Sequence, residues 1–138
     1  MAAPLSADQA VPVAEFRAAL RGFLRTSERN ARAAGLTPQR YLLLLMIKGA
    51  PGGSEQSTVT ELAERLQLAQ STVTELVSRA EEIGLVERER SSDDGRIAYL
   101  RLTDEGERRL AEVFSSNARE RHALTQAFEL LQSIGLPT

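Results

Sequence analysis

The sequence predicts a mainly α-helical fold that carries one small β-hairpin. Apolar residues recur at three- and four-residue steps through much of the chain, which is the period of a helix. Two of these helical segments are short and are separated only by the turn at residues 67–69. An alternating segment with Asp-Gly at its centre follows them and indicates a hairpin. Two short helices, a tight turn and a hairpin together predict a winged helix–turn–helix.

Length and composition limit the classes of protein. With 138 residues, 42% hydrophobic and 26% charged, the chain fits one globular domain with a helical extension. It has no cysteine, which excludes disulfides and thiolate metal sites. We expect no transmembrane helix, no export signal and hence a cytoplasmic protein. No nucleophile elbow, P-loop or glycine-rich dinucleotide motif occurs, so we expect neither an enzyme nor a cofactor.

The first part of the chain should form two helices. Residues 1–10 are small and polar and are expected to be a flexible arm. A helical pattern then covers residues 11–34 and stops at Gly35, a residue that tolerates the left-handed conformation. Thr37 and Pro38 predict the start of a second helix. Because that helix is apolar on nearly all sides, it should be central in the fold.

The helix–turn–helix should begin at a capping box. Thr58 and Glu61 have the Thr-x-x-Glu spacing in which each side chain binds the other residue's backbone N–H, and the helix should run to about Leu66. The next helix is predicted over residues 70–83 and should stop at Gly84. Its predicted buried stripe is Val73, Leu76, Val77, Ala80 and Ile83.

The opposite face of this second helix carries short hydrogen-bonding side chains. They are Gln70, Ser71, Thr72, Thr74, Glu75, Ser78 and Arg79. An α-helix fits the major groove of DNA and directs its N-terminal residues at base edges. We therefore predict that helix 70–83 is the recognition helix of a protein that binds double-stranded DNA. Arg79, near its far end, is placed for a backbone phosphate.

The hairpin that follows is predicted to be the wing. Its candidate contacts to DNA are Arg88, Arg90, Asp94 and Arg96. Arg96 comes directly after the Asp-Gly tip, where it can enter a minor groove. Asp94, two residues before it, is expected to hold the guanidinium in one orientation.

The chain resembles the MarR (multiple-antibiotic-resistance repressor) family of bacterial regulators over residues 11–134. The most specific stretch is "TVTELAERLQLAQSTVTELVSRAEEIGLVERERSSDDGRIAYLRLTDEG", with the Asp-x-Arg wing motif and the "LTDEG" opening of the last helix. The resemblance implies a homodimer, with dimerisation helices in residues 11–36 and 103–138 and a DNA-binding lobe in residues 37–102. It also implies a repressor of a pseudo-palindromic operator that a small phenolic or anionic effector releases.

Two expectations concern the C-terminal region and the effector. Residues 103–138 are expected to form the last helix, without the separate final helix that is usual in the family. The sequence leaves open whether this helix is continuous, and the stretch 115–117 is its weakest part. Spacing and resemblance also predict an effector pocket where the first, second and last helices meet. Its predicted lining is Phe16, Phe23, Tyr41, Leu45 and Phe114.

The charges leave an alternative function open. Although the net charge is only −2, residues 58–102 hold more acids than arginines, namely Glu61, Glu64, Glu75, Glu81, Glu82, Glu87, Glu89, Asp93 and Asp94 against Arg65, Arg79, Arg88, Arg90, Arg96 and Arg101. Glu75 is a departure from the family, whose members often carry a neutral or basic residue there. A carboxylate repels phosphate, although it can accept a hydrogen bond from cytosine N4. The alternative is a ligand-binding or protein-interaction dimer of the same fold with weak or lost DNA binding.

Two further features have more than one interpretation. Arg17, Arg21, Arg25 and Arg29 recur at four-residue steps and form one stripe on the first helix. The stripe either pairs with acids on the last helix or faces an anionic effector or the DNA backbone. His122 is the only histidine, and without a second His or a Cys we expect no metal site there.

Overall fold

The computed structural model describes residues 3–134 and confirms the predicted winged helix–turn–helix. Its helices are α1 (Ala7–Ala33), α2 (Pro38–Lys48), α3 (Val59–Leu66), α4 (Gln70–Glu82), α5 (Asp104–Ser116) and α6 (Ala118–Gln132), and its strands are β1 (Val86–Arg90) and β2 (Ala98–Leu102). The chain forms two compact units. Residues 31–113 are called the lobe, and residues 3–30 with 114–134 are called the helical unit.

The predicted helix starts in the lobe are confirmed. Thr37 precedes α2, and its hydroxyl accepts a hydrogen bond from the backbone N–H of Arg40 at 3.2 Å. Thr58 and Glu61 form both halves of the capping box at the start of α3. These bonds satisfy N–H groups that have no partner inside the helix, which is why a short helix such as α3 can begin at a fixed residue.

Left-handed residues end three of the helices. Gly35 after α1 and Gly84 after α4 have φ of 79° and 75°, as predicted from their positions. Gln67 adopts the same conformation after α3, with φ of 58°. Its position allows Leu68 N to donate to Ala63 O at 3.1 Å, so the turn into α4 is closed by a backbone hydrogen bond.

The lobe has a continuous hydrophobic core with α2 at its centre. Leu43, Leu44 and Ile47 of α2 are fully buried, as predicted for this apolar helix, although Leu42 on its outer side is exposed. The other fully buried large residues of the lobe core are Leu36, Leu62, Val73, Val77, Leu85, Leu100 and Val113. Because these come from α3, α4, the wing and α5 as well as α2, burial of this one cluster fixes the helix–turn–helix against the wing.

The wing is a two-stranded antiparallel hairpin. Its register pairs Val86 with Leu102 at the base and Arg90 with Ala98 near the tip. Ser57, just before α3, adds an isolated bridge in which Leu100 N donates to Ser57 O at 2.8 Å. This bridge was not predicted, and it attaches β2 to the start of the helix–turn–helix.

The prediction of a flexible arm over residues 1–10 is wrong for residues 7–10, which belong to α1. Ser6 and Gln9 explain the early start. Gln9 N donates to Ser6 Oγ at 3.2 Å, and Ser6 N donates to Gln9 Oε1 at 3.2 Å. This is a capping box with glutamine as its second member. Residues 1 and 2, which the arm included, lie outside the described residues.

Ile83 was predicted to be buried, but its side chain is 46% exposed. It follows the last helical residue of α4, and its backbone (φ −95°, ψ 11°) has left the helix. The side chain therefore no longer lies on the buried stripe, whereas Val73, Val77 and Ala80 do and Leu76 is partly buried.

The expectation that a separate last helix is lacking is wrong, because Asn117 separates α5 from α6, and the break falls in the stretch 115–117 that is the weakest part of the helical pattern. In the helical unit this residue is buried, and its amide makes two side-chain hydrogen bonds with α1. Asn117 Nδ2 donates to Ser27 Oγ at 3.1 Å, and Asn117 Oδ1 accepts from Asn30 Nδ2 at 2.7 Å. Phe16 and Phe128 lie farther along the helical unit, with ring centroids 6.2 Å apart.

Candidate nucleic-acid interface

Helix α4 has one buried side and one exposed side. Val73, Val77 and Ala80 are fully buried and fix the helix in the lobe core. All seven residues predicted for the recognition face are exposed: Gln70, Ser71, Thr72, Thr74, Glu75, Ser78 and Arg79. The packing of the apolar stripe therefore presents these polar side chains together on the outer side of the lobe.

The start of α4 offers hydrogen-bond donors. Ala69 precedes the helix in an extended conformation and has no acceptor in its side chain, so it caps none of the first backbone N–H groups. Such groups, at the positive end of the helix dipole, suit a phosphate. Gln70 Nε2 donates to Thr60 Oγ1 at 3.3 Å, which attaches the start of α4 to α3.

A groove of about 470 Å³ lies between the start of α2 and the middle of α4. The residues that line it are Thr37, Pro38, Gln39, Arg40, Thr72, Glu75, Leu76 and Arg79. Gln39 and Arg40 were not among the predicted site residues. They belong to a helix far from α4 in the sequence, and only the fold places them beside the recognition face.

Glu75 and Arg79 form an ion pair on this face. Arg79 Nη2 lies 3.5 Å from Glu75 Oε1, and the side chains are 63% and 69% exposed, respectively. An exposed pair of this kind is worth about 1 kcal/mol or less, because water and salt screen it. Arg79 can therefore exchange the carboxylate for a DNA phosphate at small cost.

The wing tip holds its arginine as the sequence predicted. Asp94 Oδ1 accepts from the backbone N–H of Arg96 at 3.0 Å and from Arg96 Nε at 3.2 Å. Arg96 Nη2 lies 3.4 Å from Asp94 Oδ2. These bonds from the side chain and backbone of Arg96 hold the pKa of the Asp94 carboxyl below its ordinary value. The Arg96 side chain is 92% exposed and directed away from the core, while its role on DNA stays a prediction.

The other two predicted wing arginines have partners within the lobe. Arg88 Nε donates to Glu81 Oε1 at 2.9 Å, which connects the wing to the end of α4. Arg90 Nη1 donates to Gly95 O across the hairpin at 2.6 Å. Both side chains remain exposed, but the structure gives each of them a role in holding the wing.

A second groove, of about 430 Å³, lies between the start of α3 and the wing. Its lining is Thr58, Val59, Thr60, Arg88, Arg96, Ile97 and Ala98. Thr60 is another exposed hydroxyl that was not predicted as a site residue. The sequence could have indicated Thr60 as an outward-facing residue, because the capping box uses Thr58 and Glu61 and leaves the Thr60 side chain pointing outward.

The five residues of the predicted effector pocket belong to different units. Phe16, Phe23 and Phe114 lie in the helical unit, and Tyr41 and Leu45 lie in the lobe. Tyr41 is buried in the lobe core. Phe114 is exposed, and the Arg121 guanidinium carbon lies 3.9 Å from its ring centroid. The pocket itself stays a prediction.

The arginine stripe does not form the ion pairs with the last helix that were one of its two interpretations. Arg17, Arg21, Arg25 and Arg29 are exposed on α1, and among residues 3–134 none of them lies within 4.0 Å of a carboxylate oxygen. Arg29 instead donates to Thr26 Oγ1 at 3.2 Å on its own helix. The stripe therefore leaves a row of uncompensated positive charges in the helical unit.

The part of the chain that the structure describes contains neither a membrane-spanning helix nor a cluster of metal ligands. No helix within residues 3–134 is long and apolar enough to cross a membrane. No three His, Asp or Glu side chains in the same range are grouped as metal ligands, and His122 lies exposed on α6.

Comparisons with known proteins identify relatives of this fold and sequence. Residues 34–97 match the model of the MarR family. The chain is 35% identical over 103 residues to the HTH-type transcriptional repressor MdtR of Bacillus subtilis, covering 72% of this chain and 63% of that repressor. The matched region thus spans less than two thirds of the relative's length.

Solved structures extend the similarity over more of the chain. The YusO protein of Bacillus subtilis is 27% identical, with a TM-score of 0.63 over 94% of this chain and 93% of that one. Sco3205, a MarR family transcriptional regulator from Streptomyces coelicolor in complex with DNA, is 26% identical, with a TM-score of 0.63 over 91% of this chain and 79% of that one. These relatives agree with the prediction that the chain is not an enzyme, and the chain belongs to the MarR family of winged helix–turn–helix transcriptional regulators.

Proposed function

We propose that this chain is a homodimeric, sequence-specific DNA-binding regulator of transcription, acting in the cytoplasm as a ligand-responsive repressor of a pseudo-palindromic operator. The observation that carries the proposal is the outer face of α4. Seven polar side chains lie exposed on α4, and the opposite stripe of the helix is buried in the lobe core. Because this burial fixes the orientation of the helix, the polar side chains are held facing outward, toward a partner. In this arrangement phosphate contacts supply affinity and α4 supplies the choice of sequence.

Relatives support the DNA partner and the direction of regulation. Sco3205 was crystallised with DNA, and MdtR is named as a repressor. In the lobe of this chain, the wing arginine Arg96 and the start of α4 are both open to a duplex. We assign Arg96 to a minor groove and the first turns of α4 to the adjacent major groove.

The exposed apolar side chains of the helical unit support the homodimer. Val11, Val13 and Leu24 on α1 are about half exposed, as are Phe128 and Leu130 on α6. Large apolar residues left exposed on two helices offer surface that a partner can cover. A second copy is the partner that a two-fold symmetric operator requires. Light scattering after size exclusion, at concentrations from micromolar downward, tests whether the chain is a dimer.

A salt titration tests DNA binding itself. Fluorescence anisotropy with a labelled random-sequence duplex should give an affinity that falls steeply and log-linearly as salt rises, because each phosphate contact releases a counterion. Selection from a random duplex library should then recover a sequence with two related half-sites. No binding to any duplex at low salt would contradict the proposal.

The alternative is a dimer of this fold that has weak or lost DNA binding. It is favoured by the acidic excess of residues 58–102 and by the ion pairs of Arg79, Arg88 and Arg96 with Glu75, Glu81 and Asp94. These pairs reduce the positive field that a duplex meets. The same titration separates the two functions, because the alternative gives no salt-dependent binding.

The effector is tested with a phenolic acid. Saturating salicylate should raise the unfolding temperature and weaken DNA binding if a pocket of the predicted kind selects this ligand class. If salicylate changes neither the unfolding temperature nor the affinity for DNA, phenolic acids are excluded as effectors. DNA binding without a response to salicylate leaves the repressor proposal intact.

A further inference from the structure

The outer face of α4 carries one acid in the middle of a row of neutral polar residues. Glu75 lies in the second turn of α4 and is exposed together with Ser71, Thr72 and Ser78. Its side chain is 69% exposed and lies beside the groove between α2 and α4. Under the proposed function, on which this inference rests, Glu75 lies in the major groove and faces the base edges.

The contacts of Glu75 leave part of its carboxylate available. Oε1 lies 3.5 Å from Arg79 Nη2, and among the described residues this is the only ion pair that Glu75 makes. Oε2 makes no hydrogen bond within residues 3–134. A carboxylate only accepts hydrogen bonds, so a base opposite this oxygen has to present a donor.

The hydrogen-bonding groups in the major groove make cytosine the base that best fits a carboxylate. Guanine and thymine present acceptors there, whereas cytosine presents its N4 amino group and adenine presents its N6 amino group. Adenine also places the N7 acceptor directly beside N6, and that lone pair repels a carboxylate. Cytosine has no acceptor of its own beside N4 in the groove.

Arg79 makes the acid tolerable close to the phosphates. Its guanidinium, one helical turn after Glu75, compensates the carboxylate in the free protein and can contact a backbone phosphate on DNA. Without a donor opposite it, the carboxylate would be desolvated near phosphates and unpaired. Glu75 therefore penalises every site that lacks the correct base, in addition to favouring the correct one.

We infer that Glu75 is a specificity residue of this regulator, which requires a cytosine at one position of each half-site through a hydrogen bond from N4 to Oε2. Replacing that cytosine by thymine should weaken binding of the wild-type protein roughly 5- to 150-fold, the range expected for one good base contact. The cost arises because thymine presents the O4 acceptor to the carboxylate.

Selection from a random duplex library with wild type, Glu75→Gln and Glu82→Gln tests the assignment. Glu82 is the matched control, because it is exposed at the far end of α4 and its change to Gln alters the net charge equally. Wild type and Glu82→Gln should recover the same cytosine in each half-site. Glu75→Gln should recover adenine at that position, because a Gln amide binds N6 and N7 of adenine together.

The outcomes separate this inference from the proposed function. If Glu75→Gln selects the same half-site as wild type, DNA binding stands and the inference is wrong. The same holds if Glu82→Gln shifts the preference as much as Glu75→Gln, because the effect is then one of net charge. If none of the three proteins retains a duplex at low salt, both the function and the inference fail.

Discussion

The backbone carbonyl of Leu85 occupies the space that a side chain at Gly106 would need. A Cβ atom at Gly106 would lie 2.2 Å from Leu85 O and 3.2 Å from the Leu85 carbonyl carbon. Thr103 N donates to the same Leu85 O at 3.0 Å, and Thr103 Oγ1 donates to Gly84 O at 2.5 Å. The start of α5 is therefore pressed against the chain between α4 and the wing, and this explains the glycine of the "LTDEG" segment.

Gly106→Ala should lower the free energy of unfolding by about 1–3 kcal/mol or more, because the clash is with backbone that cannot rotate away. Urea unfolding followed by circular dichroism measures the change. Gly22→Ala is the matched control, since Gly22 is also helical and has no other atom within 4 Å of the added Cβ. It should stabilise its helix by about 0.5–1 kcal/mol. Equal effects of the two variants would contradict the packing argument.

Arg96→Ala should weaken operator binding while leaving the fold intact. The side chain is almost fully exposed, so its removal costs little stability, but it takes a cation from the wing tip. The slope of log affinity against log salt should become shallower by about 0.9 for each lost phosphate contact. Arg108→Ala on α5 is the charge-matched control and should leave the slope unchanged. An operator affinity equal to that of wild type would show that Arg96 does not contact DNA.

Substitutions within α4 should separate base reading from phosphate binding. Thr72→Ala is expected to change base preference by about 1–3 kcal/mol at one position, because a hydroxyl or methyl contact to a base edge is lost. Arg79→Ala should weaken all duplexes to a similar extent and flatten the salt dependence. Competition binding against single-base operator variants measures both effects. A uniform loss for Thr72→Ala would instead place that residue on the backbone.

Lowering the pH should lower the free energy of unfolding of the lobe, because Glu105 becomes protonated. Its carboxylate accepts from Arg108 Nη2 at 2.6 Å and from Arg109 Nε at 2.8 Å, and these bonds lower its pKa from the ordinary 4.5 to about 2. Because the pKa is lowered by folding, the stabilisation is complete above about pH 4.5 and is lost as the pH falls toward 2. Glu105→Gln should therefore be less stable than wild type at pH 7, and the difference should shrink across this window. A constant difference from pH 7 to pH 2 would show that the ion pairs contribute nothing.

Local patterns predicted the lobe well because their causes are local. The capping box of Thr58 and Glu61 depends on residues three apart, and Gly35 and Gly84 stop helices through their own backbone freedom. The same local logic could have found the start of α1, since Ser6 and Gln9 have the spacing of a capping box. A glutamine in place of glutamate concealed it.

Contacts between segments that are distant in the chain could not be predicted from the sequence alone. The pair of Arg88 with Glu81 joins the wing to α4, and the groove beside α4 includes Arg40 from another helix. Neither follows from periodicity, because periodicity assigns a face and not the neighbour that lies against it. The arginine stripe shows the same limit: regular spacing placed the four arginines on one face, but it could not decide whether acids lie opposite them, and among the described residues none do.

At Asn117, contacts with a distant helix accompany a local break in the chain's helical structure. The break between α5 and α6 falls at this residue, which is only 2% exposed, and its amide is bound to Ser27 and Asn30 on α1. Asn117→Ala should lower the free energy of unfolding by about 1–3 kcal/mol, because the buried Ser27 hydroxyl loses its partner. Thermal unfolding measures the loss. Ser116→Ala, at an exposed neighbouring position, should stay within about 0.5 kcal/mol of wild type.

A double-mutant cycle then attributes the loss to the hydrogen bond. Ser27→Ala should cost less in the Asn117→Ala background than in wild type, because the hydroxyl that it removes has no partner left there. If the two substitutions are additive, the bond between Asn117 and Ser27 does not hold the junction. In that case the break between α5 and α6 has to be attributed to the Asn30 bond or to the weak helix propensity of residues 115–117.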